Sequence, residues 1–475
     1  MKMDFFTEDD LTATLMSAIM SPNFKILDHR FDKVYNFGST KMGTHRRLVL
    51  EIEDSENDQH LLSFFAKFVP ENEAHKAFAI ANDCFGKEVY FYSHIASIME
   101  PMLPYEMPLP IPMCHFARVG STESNTSDSG LSFEASAIIL QDLYHLGFVP
   151  MNMWIPLDLP YCRVVMRALA IFHGGSVLIQ NSKGESSELA EVHEAIFSIK
   201  ESVFIFDEDA PSGKILHGVV ETTANLICQF WPQKYPKEQF YQRLLDILWN
   251  SFRNVGAMLQ PSHDLLSVLC HGELCGNNIL FAYEKDQEEQ APVDAKFVDM
   301  QLMRYSSPIT DILTFLHVCT RRGFRNKHLP ELLSYYQMEF SRAVSPKVAT
   351  KTLSLEELQT CAKDMKEFGL VAAIHLIPVC LAQSPAQTTV SSFHFDDEDC
   401  HQIQDMLGRQ SLPYRRDSLL EPLPEPLQKA YSMQENQSEI IFETMRANRK
   451  FRGRLEEAYI EYLEFVGLWE SSSSE

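Results

Sequence analysis

The spacing of apolar and polar positions changes character near residue 140. Up to that point the apolar runs are short and bounded by glycine, proline or polar clusters. Phe24 to Val34, Arg47 to Glu53, Ser63 to Pro70 (SFFAKFVP) and the run ASAIILQDL from Ala135 predict strands. Two helices interrupt them. Thr7 with Asp10 has capping-box spacing ahead of LTATLMSAIM and predicts a first, surface helix. CFGKEVYFYSHIA predicts a second, with Phe85, Tyr92 and Ile95 on one apolar stripe. Beyond residue 140 the period is helical. Tyr161 to Ser176 is amphipathic and predicted to stop at Gly174 and Gly175, and a long helical region runs from Asn181 through Trp249 and Leu259. Ser354 with Glu357 forms another capping box, and the last helices lie between Glu421 and Trp469. Strands first and helices afterwards predict an α+β fold.

One stretch interrupts both periods. Leu269 to Phe281, LCHGELCGNNILF, sets a polar loop between two apolar runs, which predicts short strands flanking a loop that presents chemistry. Glu273 and Asn278 stand five residues apart, the spacing of acid and asparagine in kinase catalytic loops, where the acid accepts a hydroxyl proton and the asparagine holds a metal. Asp299 ends the apolar strand KFVDMQ and supplies a second oxygen ligand suited to magnesium. The polar segment from Asp286 to Asp294 predicts a hairpin tip between them. Lys67 is an isolated ammonium in an apolar strand. It either snorkels from a sheet edge or meets anionic groups, as the third-strand lysine of a kinase meets the α- and β-phosphates. Glu88, on the following helix, either faces it or is a solvated acid of the helix surface. The small-residue turn NFGSTKMGT carries Gly38, Ser39 and Gly43, whose backbone amides suit phosphates, although a plain hairpin turn reads the same way. ASAIILQDL is a buried strand ending in polar residues, the place where a hinge between two lobes, meeting adenine through its backbone, is expected, here at Gln141, Asp142 and Leu143.

Composition narrows the partners. With 41 basic and 65 acidic side chains the formal net charge is -24, which argues against a nucleic-acid surface or an anionic-membrane surface. Local Lys and Mg²⁺ still permit an ATP site. The longest apolar stretch noted, Phe368 to Ala382, is too short to cross a bilayer, and the start MKMDFFTEDD has no secretory pattern. Ten cysteines without CxxC pairs fit reduced thiols, so a cytoplasmic location is expected. His173, alone at the end of its helix, suits a core role better than a metal role. SSFHFDDEDCHQ, with His394 and His401, suits a solvated loop. The aromatics Phe230, Trp231, Phe240, Tyr241 and Trp249 are either core or the wall of an apolar acceptor pocket.

HGELCGNNILF, followed by FVDMQLMRYSSPITDILTFLH, resembles the Brenner-type loop of the aminoglycoside phosphotransferase and choline kinase superfamily. Within it the chain looks most like the ecdysteroid-kinase-like, or CHK-kinase-like, family of arthropods and nematodes. Asp299, Gln301, Arg304, Asp311 and Phe315 fall in that family's order, and FxxExxFY around Glu88 matches it too. Glu273 departs from the family's aspartate. The resemblance implies a bilobal protein-kinase-like fold, with an antiparallel N-lobe over residues 1–140 and a larger, mainly helical C-lobe over 141–475. It implies ATP- and Mg²⁺-dependent phosphorylation of a small-molecule hydroxyl acceptor, such as an ecdysteroid or another lipophilic alcohol. Asp311 would brace the loop, unless it is simply a helix cap. The Glu273 exchange leaves a pseudokinase as the alternative, and protein partners are undetermined.

Overall fold

The structure, a computed structural model, describes residues 6–19, 23–34, 43–120, 132–151, 154–182, 186–206, 210–261, 266–284, 291–344, 353–382 and 440–470. Gly38, Ser39, the polar tip at 121–130, His394 and His401 lie outside them.

Period-two alternation aims the lysine. In β3 (Gln59–Phe68), Phe64, Ala66 and Phe68 join the cluster formed with Leu11 and Leu15 of α1 (Glu8–Ile19), while Phe65 packs into the larger core on the other face. Lys67 shares the face of Phe65, because successive side chains of a strand point to opposite sides. The strands β1 (Phe24–Lys33), β2 (Thr44–Asp54), β3, β4 (Cys114–Arg118) and β5 (Ala137–Gln141) form one antiparallel sheet in the order β1-β2-β3-β5-β4.

The first helix is more than a surface element. Its capping box is formed, with Thr7 N donating to Asp10 Oδ2 at 2.8 Å and Asp10 N donating to Thr7 Oγ1 at 3.2 Å. Leu11 and Leu15 are nevertheless buried against the outer face of the sheet, and Asp10 pairs with Arg118 at 2.6 Å. The inner face meets a composite helix. α3 (Cys84–Tyr90) continues through a π-helical turn at Phe91–Ile95 into α4 (Ala96–Met102), after the short α2 (Glu73–Ala81).

The larger lobe is helical. α5 (Leu159–Asn181), α6 (Ser187–Ser198), α7 (Pro211–Phe230) and α8 (Lys237–Met258) precede the functional loop. α9 (Ile309–Cys319), α10 (Arg322–Val344), α11 (Leu355–Asp364), α12 (Lys366–Leu381) and α13 (Arg449–Phe465) follow it. β6 (Val149–Pro150), ahead of α5, forms a small sheet with β8 (Ile279–Tyr283) and β9 (Pro292–Phe297) from between the two helix groups, where β7 (Val268–Cys270) also pairs with β10 (Arg304–Ser306). The structure is thus α+β, an antiparallel N-terminal sheet on a larger helical part.

Several expectations change. α5 does not stop at Gly174 and Gly175 but runs through them, because other helices sit on their bare backbone. A Cβ at 174 would lie 2.9 Å from Ala343 Cβ, and one at 175 would lie 2.4 Å from Met99 Cγ. α5 is also long and apolar enough to cross a membrane, but 83% of its most apolar window is buried inside the protein, as in a core helix. The β8–β9 hairpin begins its return at Pro292, so Asp294 pairs within the strand opposite Ala282 instead of lying in the tip. The helix opened by the Ser354 capping box is broken at Met365, where α11 gives way to α12. Phe230 at the end of α7 meets Tyr459 and the next residue, Trp231, meets Trp469, whereas in α8 Phe240 meets Tyr235 and Trp249 meets Phe206 and His217.

Candidate active site

Three chain segments converge on Lys67. Its Nζ donates to Glu88 Oε2 at 2.5 Å and to Asp299 Oδ1 at 2.6 Å, and lies 3.4 Å from Gln301 Oε1. Lys67 and Glu88 are almost wholly buried. Burial alone would discharge the lysine, but the carboxylates of Asp299 and Glu88 outweigh it and hold the ammonium above its ordinary pKa. Burial likewise pushes the Asp299 carboxyl up, and the Lys67 charge and hydrogen bond more than offset this, so the net shift is downward. Gly43 packs on the lysine stem: a Cβ there would stand 2.9 Å from Lys67 Cε.

Asp299 is held in an unusual backbone conformation. Its φ of 72° is left-handed, one of three such non-glycine residues among those described. Gln301 Nε2 donates to Asp299 Oδ2 at 3.2 Å, and Met300 N donates to Glu88 Oε1 at 3.3 Å. The strand-end acid is therefore tied both to the helix acid and to the following turn.

The loop from His271 to Asn278 is braced from below. Asp311, at the start of α9, accepts from His271 N at 2.6 Å and Gly272 N at 3.0 Å, and lies 3.2 Å from Nε2 of the fully buried His173. A carboxylate only accepts, so His173 Nε2 carries a proton, and its Nδ1 lies 2.7 Å from the Tyr336 hydroxyl. Burial pushes the Asp311 carboxyl up, but the His173 bond and neighbouring histidines overcome it and the net direction is down. His173 and Asp311 thus form one buried bridge; Asp311 braces the loop and is not the cap of α9, whose N-cap is Pro308 with no side-chain cap bond.

His271 is neutral in this setting. Its Nε2 lies 3.0 Å from Val298 O and must donate, which leaves Nδ1 to accept from Glu273 N at 3.3 Å. Burial lowers its pKa, consistent with that tautomer. Gly272 has φ 87°, and its carbonyl accepts from Arg304 Nη2 at 2.5 Å. Arg304 also pairs with Glu201 at 3.0 Å, a residue of the segment between α6 and α7. Nothing near Glu201 in the sequence marked it for this position.

Glu273 is 8% exposed. Burial, together with the Asp299 charge, pushes its carboxyl up to about 8. Asn278 Nδ2 donates to Glu273 O at 2.9 Å, which leaves the amide oxygen as the atom of that side chain able to ligate a cation. Val298 N donates to Asn278 O at 3.0 Å, so the loop and the segment that leads from β9 to Asp299 are joined by backbone. Oxygen donors from Asn278 and Asp299 are the hard ligands that Mg²⁺ takes.

At the lobe junction, Gln141 N donates to Met113 O at 2.8 Å, and Leu143 opens a 3₁₀ turn. The Asp142 side chain faces the sheet, accepting from Arg47 Nε at 2.9 Å and Ser63 Oγ at 2.5 Å. Its carboxylate is thereby engaged structurally.

A strand lysine paired to a helix acid and to a strand-end acid, beside a loop with an acid and an asparagine five residues apart, defines a kinase-like phosphotransferase. The chain belongs to the ecdysteroid kinase-like family, whose pattern matches residues 38–346. Among solved structures, 17 chains match. One is the amicoumacin kinase hAmiN in complex with AMP-PNP, Ca2+ and Ami, at 10% identity and a TM-score of 0.35, with 94% of this chain and 99% of that chain covered. No curated protein matches.

Proposed function

We propose that the protein transfers the γ-phosphoryl group of ATP to a hydroxyl of a small molecule, a lipophilic alcohol of the ecdysteroid kind. The reading is carried by the Lys67 ammonium, which joins Glu88 of the helix to Asp299 of the functional loop region. Lys67 is proposed to hold the α- and β-phosphates. Gly38 and Ser39 are proposed to cover them, and the backbone of 141–143 to meet the adenine. Asn278 and Asp299 would hold Mg²⁺, which when bound spreads the phosphate charge over a divalent cation. Glu273 would accept the proton as the acceptor oxygen bonds to phosphorus and the bond to the departing ADP oxygen breaks. The free thiols of the nine described cysteines support a cytoplasmic location.

Asp299→Ala is expected to abolish the metal-dependent part of ATP affinity while leaving the adenine contacts. Isothermal titration with and without Mg²⁺ reads this directly. Unchanged Mg·ATP binding in the variant would place the nucleotide elsewhere.

One observation favours a second reading, a nucleotide-binding pseudokinase. Glu273 replaces the family's aspartate and is buried in a setting that keeps its proton until about pH 8. Its longer side chain shifts the carboxylate by roughly 1 Å, a displacement that can lower a rate about 100-fold. The comparison is single-turnover phosphorylation of a sterol and small-alcohol panel, product mass being the readout. The unaltered protein is expected to turn over, Glu273→Gln to lose activity and Glu273→Asp to retain or gain it. Equal rates for the unaltered protein and the Gln variant would remove Glu273 from catalysis, and silence of all three would favour the pseudokinase.

A further inference from the structure

Glu201 holds a turn of its own segment and a cation from a distant one. Its Oε1 accepts from Val203 N at 2.7 Å and from Phe204 N at 3.1 Å, which folds residues 201–204 into a tight turn. Its Oε2 lies 3.0 Å from Arg304 Nη1. The Arg304 side chain is buried, and its Nε and Nη1 have no hydrogen-bond partner among the described residues, so the guanidinium is held by the Glu201 charge and by the Gly272 carbonyl at Nη2. That carbonyl and Glu273 N belong to one planar peptide unit, so the group that grips the carbonyl also sets the place of Glu273.

The same turn is tied to α3. Lys87 Nζ donates to Lys200 O at 3.3 Å and to the hydroxyl of the buried Ser202, the residues on either side of Glu201. The Ser212 hydroxyl, in the first turn of α7, lies 2.6 Å from Ser202 O and 3.0 Å from Asn82 Oδ1, just ahead of α3. Apolar contacts follow the same path: Val203 and Ile215 pack on Phe78 and Ala79 of α2, Cys84 of α3, and Leu302, two residues before Arg304. Lys87 directly precedes Glu88, the acid that holds Lys67. Residues 200–204 therefore reach α3 on one side and the Gly272 peptide, through Arg304, on the other.

We propose that residues 200–204 form a strap that couples α3 to the functional loop, with Glu201 as a positioning residue that acts through Arg304 on the Gly272–Glu273 peptide. A shift of α3 that alters the Lys67–Glu88 pair pulls the strap through Lys87, and the strap carries Arg304 and Glu273 with it. The groups proposed to hold phosphate and to take the proton are thereby set by one device. Its effect on rate rests on the phosphotransfer reading, whereas the coupling itself is measured without turnover.

Hydrogen–deuterium exchange of the full chain, read by mass spectrometry, tests the strap. Glu201→Gln removes the charge and keeps an amide oxygen for Val203 and Phe204. The amides of His271, Gly272 and Glu273, bonded to Asp311 and to the His271 ring, are expected to exchange about tenfold faster, the factor one contact to a charged group contributes, while α10 keeps its protection. Should that variant fail to fold, Glu201→Asp draws the carboxylate back from Arg304 by one methylene, and the same local rise is expected. Lys87→Met cuts the strap at α3, spares Lys67 and Glu88, and is expected to quicken exchange at 200–204 and at the loop alike. Where turnover is observed, Glu201→Gln is expected to lower the single-turnover rate about 10- to 100-fold at saturating Mg·ATP, with Mg·ATP affinity kept. Unchanged exchange at 271–273 in the Glu201 variant overturns the positioning role, and so does a rise spread evenly over the helical part, which a plain loss of stability gives. A rise confined to 200–204 in Lys87→Met overturns the coupling. Silence toward every acceptor, with the local rise present, counts against the phosphotransfer reading and leaves the strap standing.

Discussion

A protein carrying Gly272→Ala is expected to lose roughly 3–5 kcal/mol of stability, and with it the ordered loop that presents Glu273. Two independent penalties meet at this residue. Its φ of 87° is a left-handed conformation that a Cβ disfavours, and the added carbon would stand 1.8 Å from Leu302 O, a backbone atom that has no rotamer to move into. Relief would require shifting β10, which pairs with β7 immediately before the loop. Arg304 would then lose the Gly272 carbonyl it binds and the geometry of its Glu201 pair. Urea denaturation measures the effect, with Gly323→Ala as the control. A Cβ at 323 meets nothing within 4 Å on a helix, so that variant is expected to be neutral or slightly stabilised. Similar midpoints for the two variants would show that the loop relaxes around the clash.

Lys67→Met is expected to be nearly as damaging, and for an electrostatic reason. It leaves Glu88 almost fully buried beside Asp299 with no cation between them. Removing one partner of a buried ion pair costs roughly 3–5 kcal/mol, because the remaining charge has neither water nor counter-ion. One escape is protonation. Burial already pushes Glu88 up to about 7 with the lysine in place, and losing the lysine raises it further. The double variant Lys67→Met with Glu88→Gln should therefore recover part of the stability, though not nucleotide affinity, since the cation proposed to face the phosphates is gone. Denaturation of the single and double variants alongside ATP titration separates the two effects. A double variant no more stable than the single one would mean that burial of Glu88 is not the source of the cost.

Residues whose position follows from local rules were the legible ones. The alternation in SFFAKF directs Lys67 away from α1, and the five-residue interval from Glu273 to Asn278 lies within a single loop, so both could be located from neighbours in the chain. The capping boxes of α1 and α11 formed for the same reason. Contacts made by distant segments were not legible. Glu201 reaches Arg304 from the segment between α6 and α7, and Asp142 turns its side chain to Arg47 and Ser63, pairings that depend on how lobes and helices pack. The two glycines of α5 show a local rule overridden: glycine commonly ends a helix, yet here the missing side chains admit two other helices and the backbone continues.

Gly175 also bears on the geometry of the Lys67–Glu88 pair. Met99 rests directly on the α5 backbone at Gly175, so the end of the composite helix is seated in the larger lobe, while Glu88 lies near its other end. The eleven residue steps from Glu88 to Met99 make a lever arm of about 16 Å at the usual helical rise. A tilt of about 4° around the seat at Met99 carries Glu88 through roughly 1 Å by that geometry, enough to part it from the Lys67 ammonium. Small rotations at the seat are thereby magnified at the acid, and the fulcrum is a place where no side chain larger than hydrogen fits.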